Sequence, residues 1–272
     1  MSKKVIAIAN QKGGVGKTTT VVNLAANLVK EGYKVLCIDF DGQGNLSDYL
    51  GYSDGQYVIT DILKAEMSKQ LTDEDIEGVI KHSKSDGIDY IPSDISLSTA
   101  DMFMATAIGR ENVLKKVLAH KCFDKYDYVL IDCLPSLGIL VINALVASDG
   151  VVIPVQTQKF ALNGIVQFEE IIELARELNP DLQLYGVLET MCDNTNMTKA
   201  VDEALLQMYN SKVFNTRISK SVMASNSTAE QKALSDRSKL GSQYAEFTRE
   251  LISRLQSENA MELDGIEQGD DE

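Results

Sequence analysis

The sequence predicts an α/β fold, a mostly parallel, doubly wound sheet flanked by helices. Three observations carry that prediction. Short apolar runs alternate with longer amphipathic ones, the pattern of parallel strands joined by crossover helices. The apolar runs are nearly continuous instead of alternating, as expected when helices cover both faces of a sheet. With 272 residues, 44% hydrophobic and 24% charged, the chain is long enough to bury such a core in one domain.

Taken in order, "KKVIAIAN" (Lys3 to Asn10) is the first strand. A glycine-rich turn follows, and then "TTVVNLAANLVKEG" places Val22, Ala25, Ala26 and Val29 on one helical face and closes at Gly32 as C-cap. "KVLCIDFD" and "GIDYIPS" are strands, and "LTDEDIEGVIKH" between them is a helix with Thr72 as N-cap and Asp75 completing a capping box. "YDYVLIDC" and "VVIPVQ" are further strands. "LNGIVQFEEIIELARELNP" is a long helix that must stop before Pro180, and "LQLYGVLETM" returns as a strand. Downstream, "FNTRIS" reads as a short edge strand or a loop. "TAEQKALSDR" and "GSQYAEFTRELISRLQS" read as surface helices, the second with Tyr244, Phe247, Leu251 and Leu255 in one stripe.

No apolar stretch approaches the ~18 residues of a membrane span, and the N-terminus runs directly into the first strand, so neither a membrane helix nor a secretory signal is expected. A cytoplasmic protein is the expectation. Cys37, Cys122, Cys133 and Cys192 are scattered, which points to reduced, buried thiols and not to disulfides or zinc. The formal charge of −14 argues against a nucleic-acid partner, but half of it sits in residues 258–272, with seven acids and no base. That tail lacks apolar periodicity and is expected to be disordered, leaving 1–257 as a single domain. Residues 196–257 hold nine bases against six acids.

The chemistry lies in "NQKGGVGKTTT", Asn10 to Thr20. A strand, a glycine turn ending in K-[ST] and a helix form a phosphate-binding loop, although its usual first glycine is replaced by Gln11. Gly13, Gly14 and Gly16, with Val15 between them, let backbone N–H groups converge on phosphate oxygens at a helix N-terminus. Lys17 would reach the β and γ phosphates, the Thr18 hydroxyl would hold Mg²⁺, and Thr19 would extend to the next phosphate. Asp132, closing an apolar strand, has the form of a Walker B carboxylate. Asp39 and Asp41, two apart in an extended segment, point the same way, toward the loop end of the sheet.

Together these segments resemble the ParA/MinD family of deviant Walker A ATPases. "KGGVGKTT" is its signature loop, and "DFDGQGNLS", "YDYVLIDCLPSLGILVINALVASD" and "VIPVQTQKFALNGI" are similar to its other blocks, in the same order. The chain is most similar to the short, Soj-like ParA partition ATPases, from about Lys3 to Leu188 and more weakly to about Leu255. The resemblance implies a P-loop NTPase fold and slow ATP hydrolysis. It assigns Lys12 as the extra lysine that reaches the partner subunit's nucleotide in an ATP-dependent homodimer. It also implies that Asp41 positions the attacking water and that Asp39 and Asp132 support Mg²⁺. It further implies non-specific binding of double-stranded DNA, nucleoid association, a ParB-like centromere-binding partner that stimulates hydrolysis, and plasmid or chromosome segregation.

The sequence departs from the family pattern at Gly42 and Leu134, where prolines are usual, and in "RISKSVMAS", where Ser219 replaces a proline and Met223 an arginine. Gly42 is expected to loosen the switch loop. Lys220 retains a basic position and is the candidate DNA contact; the other bases of this region are Lys199, Lys212, Arg217, Lys232, Arg237, Lys239, Arg249 and Arg254. With only nine residues ahead of Asn10, no helix-turn-helix module for operator binding is expected. The same switch could instead position a protein cargo. A MinD-like membrane switch would need a basic amphipathic C-terminus, which "NAMELDGIEQGDDE" does not supply. A nitrogenase-iron-protein-like electron donor would need its cluster cysteines in other places.

Overall fold

Alternate residues of the central strands fall into two separate hydrophobic clusters, one on each face of a single sheet. Val5 and Ala7 join one cluster while Ile6 and Ile8 join the other, and Leu36 and Ile38 are split in the same way from Val35 and Cys37. Burial on both sides is why these runs read as continuous in the sequence. A computed structural model describes residues 3–53, 55–105, 107–158 and 161–267, with side chains to residue 257 apart from those of residues 101 and 163. The strands are β1 (Lys4–Ile8), β2 (Val35–Phe40), β3 (Lys81–His82), β4 (Asp89–Ile91), β5 (Tyr128–Cys133), β6 (Gly150–Gln156) and β7 (Gln183–Thr190). They lie in the order β3-β4-β2-β5-β1-β6-β7, and only the edge pair β3–β4 is antiparallel.

The helices are α1 (Lys17–Lys30), α2 (Asn45–Tyr49), α3 (Ile59–Met67), α4 (Asp73–Val79), α5 (Ala100–Met104), α6 (Val113–Val117), α7 (Ile139–Val146), α8 (Ala161–Arg176), α9 (Asn196–Tyr209), α10 (Met223–Ala229) and α11 (Lys239–Glu267). α1, α2 and α11 cover one face; α3, α4 and α6 to α9 cover the other. The expected stripe Tyr244, Phe247, Leu251 and Leu255 is buried, and α11 packs along α1. Thr72 caps α4, with Asp75 returning the bond.

Some expectations need correcting. "TAEQKALSDR" is not a helix: α10 ends at Ala229 and the chain turns at Gln231, whose φ is 51°. The turn is held from outside, because Leu234 N–H donates to Asn23 Oδ1 at 2.8 Å and Ala233 N–H to Asp86 Oδ2 at 3.1 Å. Of the two readings of "FNTRIS", the loop holds: it runs beside β7, with Phe214 N–H donating to Val187 O and Ile218 N–H to Glu189 O, both at 2.9 Å, and isolated bridges Val187–Val213 and Cys192–Ser219 at either end. Strand β3 and helix α9 had no clear signal. The acidic stretch 258–272, expected to be disordered, enters α11 as far as Glu267; its side chains and residues 268–272 lie outside the described residues. Among the described residues no helix is long and apolar enough to cross a membrane.

The register builds the site. Ile8 is paired with Asp132, and Asp132 with Asp39, so the carboxylates near the ends of β5 and β2 stand side by side on adjacent strands, whose usual spacing is about 4.8 Å. The loop after β1 opens beside them, in the crevice at the carboxyl ends of the strands where such sheets bind ligands.

Candidate functional site

The loop from Asn10 to Gly16 is shaped by side chains at its entrance. Asn10 Nδ2 donates to Pro154 O of β6 at 2.8 Å, while its Oδ1 accepts from Lys12 N–H at 2.9 Å. Gln11, in the place of the usual glycine, reaches outward to α8, donating to Gly164 O at 3.0 Å and Gln167 Oε1 at 2.7 Å. The position therefore anchors the loop laterally. Gly16 caps α1 in the left-handed conformation at φ 86°, which a side chain there would resist. No side chain caps this helix and its first turn holds no acid, so its N–H groups and dipole are available to an anion.

Lys17 is buried, its Nζ donating to Asn10 O at 3.2 Å and Lys12 O at 3.1 Å. Burial lowers its pKa even against the attraction of Asp132. Val15 is buried too, and its carbonyl accepts from Thr190 Oγ1 at 2.8 Å, tying the loop to β7. The Thr18 hydroxyl donates to Asp132 Oδ2 at 2.7 Å. The other oxygen, Asp132 Oδ1, is buried with no hydrogen-bond partner. Burial, then the charge of Asp39, pushes Asp132 up to about 8. Burial likewise raises Asp39 to about 6, although Ser47 donates to its Oδ2 from N–H at 2.8 Å and from Oγ at 2.7 Å.

Two buried carboxylates beside one hydroxyl are under-compensated and attract a hard cation. An orphaned buried carboxylate oxygen next to Thr18 is the donor that such an ion would satisfy. Among the described residues no group of three or more His, Cys, Asp or Glu forms a closed cage. The set suits magnesium, which keeps water and phosphate among its ligands.

Asp41 stands at the rim, its Oδ1 accepting from Gln43 N–H at 3.0 Å and its own N–H donating to Asp39 Oδ1 at 3.2 Å. Gly13, Lys17, Thr18, Asp41, Gln43 and Asn45 line a cleft of about 380 Å³. A second cleft of about 310 Å³ meets it at Gly16, Thr19 and Met191, and its far wall includes Ile218 and Lys220. Lys12 behaves differently from Lys17: its ammonium lies 3.5 Å from Gln158 Oε1, beyond β6, and not in the cleft.

The structure thus brings together Gly13, Gly14, Val15, Gly16, Lys17, Thr18, Thr19, Asp39, Asp41 and Asp132, and leaves Lys12 and Lys220 on the margin. Sequence reasoning missed Asn10 and Ser47. Their only signal is position, at a strand end and eight residues beyond Asp39.

The departures from the usual prolines have local explanations. Leu134 packs against the core, and Pro135 beside it stands 4.0 Å from where a Cβ on Gly13 would lie. Ser219 donates its N–H to Gln243 Oε1 at 3.0 Å and accepts from Gln243 Nε2 at 2.8 Å, a pair that proline would abolish. Gly42 is buried and meets Ser98 closely, so the expected loosening of the switch loop is not what the packing shows.

Among the nine downstream bases, Arg217 pairs with Glu189 at 2.9 Å and with Asp202. Arg254 donates to Tyr185 O, Lys212 O and Val213 O, pairs with Glu250 at 2.8 Å, and stacks 4.0 Å over the Phe214 ring. Both are structural. Lys199, Lys220, Lys232, Arg237, Lys239 and Arg249 are exposed.

Comparison with known proteins places this geometry. A family model described as an AAA domain matches residues 3–184. The sporulation initiation inhibitor protein Soj of Bacillus subtilis is 41% identical over 257 residues, covering 92% of this chain and 98% of that protein. The chromosome partitioning protein ParA of Caulobacter vibrioides is 38% identical over 265 residues, covering 94% and 97%. A solved structure of cobyrinic acid a,c-diamide synthase from Mycobacterium smegmatis, with bound ATP analogue and magnesium, superposes with a TM-score of 0.81 at 32% identity, covering 94% of this chain and 96% of that one.

Proposed function

The chain belongs to the Soj/ParA family of ATPases, and from that premise we propose that it is an ATP-operated clamp on DNA. Two copies close face to face over two ATP molecules, and the closed dimer holds double-stranded DNA without regard to sequence. A ParB-like partner at a centromere site triggers hydrolysis and release, so that a plasmid or chromosome is segregated. Residues 1–257 act as one ATPase domain, with 258–272 as an acidic appendage.

In this reading the first cleft takes the triphosphate and the second the nucleoside. Lys17 and the N–H groups of Gly13 to Thr19 hold the β and γ phosphates. Thr18 and Asp132, backed by Asp39, would hold Mg²⁺, which would supply charge neutralisation when bound. Asp41 at the rim orients the attacking water, and since phosphoryl transfer is mostly positioning, its placement sets the rate.

The observation that carries the dimer is the division of labour between two lysines. Lys17 turns inward to the cleft, whereas Lys12 holds its ammonium outside it, 3.5 Å from Gln158, and on this reading the second copy approaches from that side. Such a lysine is useful to a nucleotide only across an interface, where it makes a charge-assisted contact with phosphate. Sedimentation with ATP and Mg²⁺ tests this. Asp41→Ala is expected to sediment as a dimer and Lys12→Ala as a monomer that still binds ATP. A Lys12→Ala dimer with ATP would remove the trans role. Fluorescence anisotropy of a random duplex should show binding by Asp41→Ala with ATP, none with ADP, and a steep fall with salt.

A further inference from the structure

Gly42 follows the residue read as orienting the attacking water. Its φ lies outside the left-handed region, so backbone conformation does not demand glycine. Proximity does. A Cβ added there would lie 2.4 Å from Ser98 Oγ, 3.0 Å from Ser98 N and 3.4 Å from Ser98 Cβ. Ser98 belongs to a 3₁₀ turn, Ile95–Thr99. Asp94 caps the turn, its Oδ1 accepting from Ser96 N–H at 2.9 Å. Thr99 Oγ1 closes back on Ser96 O at 2.7 Å, and Leu97 and Ala100 are sunk in the core.

On its other side the loop is held by Asp39, through Asp41 N–H at 3.2 Å, and closed by Gly44 N–H on Asp41 O at 3.0 Å. A second chain of bonds ties the same two regions: Ser93 N–H donates to Ser47 Oγ at 2.8 Å, and that hydroxyl donates to Asp39. The loop carrying Asp41 is therefore seated between the end of β2 and a capped turn anchored by Leu97 and Ala100.

We propose that Ser98 is a positioning residue for hydrolysis, a fixed wall against Gly42 that sets where the Asp41 carboxylate stands. This rests on the reading of Asp41 as the residue that orients water. Gly42 and Ser98 then form a matched pair: the glycine lets the turn approach, and the serine stops the loop from swinging toward it. The serine side chain is solvent-exposed, so its contribution to stability is small and its effect is on geometry. Displacement of a reacting group by about 1 Å can cost a hundredfold in rate.

The test is a double-mutant cycle with kcat and KM for ATP measured separately. Gly42→Ala should lower kcat by about tenfold or more with KM within about twofold, since the triphosphate loop is untouched. Adding Ser98→Ala removes the atom at 2.4 Å, leaving only the contacts at 3.0 and 3.4 Å, and should restore part of kcat. A merely structural defect would lower thermal stability, and the second substitution would not rescue turnover. Unchanged kcat in Gly42→Ala, or no recovery in the double variant, would overturn the proposal. Asp41→Ala is measured alongside. Wild-type turnover in that variant would overturn the reading of Asp41 itself, which separates the two failures.

Discussion

The loop end of the sheet and the segment from Arg217 to Ser257 both carry many charges, yet they use them in opposite ways. At the loop end the buried charges are each set against a specific neighbour: Asp132 with Thr18, Asp39 with Ser47, Lys17 with the carbonyls of Asn10 and Lys12. Downstream, Arg217 and Arg254 turn inward to carboxylates and carbonyls, while Lys220, Lys232, Arg237, Lys239 and Arg249 stay at the surface. Where chemistry needs convergent groups, spacing in the chain reveals it. Where function needs only an electrostatic face, composition cannot tell a surface charge from a structural one.

The largest effect expected is at the cleft. Lys17→Ala removes a cation buried near Asp132, and charge-assisted bonds of about 1.5–3 kcal/mol should disappear with it, a loss of roughly 10- to 150-fold in ATP affinity. Titration with a fluorescent ATP analogue measures it. Retention of wild-type affinity would break the contrast between a convergent site and a diffuse one. Asp41→Ala should keep that affinity but lower turnover by about a hundredfold or more. Phosphate release under saturating ATP is the measurement, and a variant that still turns over would move the water-orienting role elsewhere.

Arg254→Ala sharpens the other side of the contrast. Three carbonyls, Glu250 and the Phe214 face lose their partner together, so chemical denaturation should show a loss of about 2–3 kcal/mol. Its DNA binding, measured where the variant is still folded, should be near wild type. Weakened DNA binding at full stability would mean that this arginine belongs to the electrostatic face after all.

How much was legible follows the same division. The doubly wound sheet showed in the sequence because double burial makes strands such as "YVLIDC" continuous, and glycine spacing marked the phosphate loop. The sequence marked Asp39 and Asp132 near the ends of apolar strands, and the pairing of those two strands is what the structure adds. Three kinds of feature stayed hidden. The two-residue edge strand β3 is too short to carry a pattern. Helix α10 lies one turn earlier than "TAEQKALSDR" suggested, because contacts from Asp86 and Asn23 hold the following turn and override local helix propensity. Gly42 read as added freedom, since a missing side chain says nothing of what stands against it; only the approach of Ser98, 56 positions later in a chain numbered from Met1, shows a close fit.

The smallest expected effect is at Lys220, and it bears most on the downstream face. This side chain is exposed and lines the second cleft, the one proposed for the nucleoside. If it contacts a phosphate of DNA, Lys220→Ala should weaken binding uniformly across sequences. It should also reduce the slope of log K against log salt by about 0.9, the release of one counterion. Stability should not change, because no core contact is lost. If instead the lysine serves the nucleotide, ATP affinity should fall and the salt slope should stay as it was. A salt series on the ATP-bound Asp41→Ala background, with and without Lys220→Ala, separates the two. An altered slope would place at least one of the exposed bases on the DNA, and an unaltered slope would shift the search to Lys232, Arg237 and Lys239.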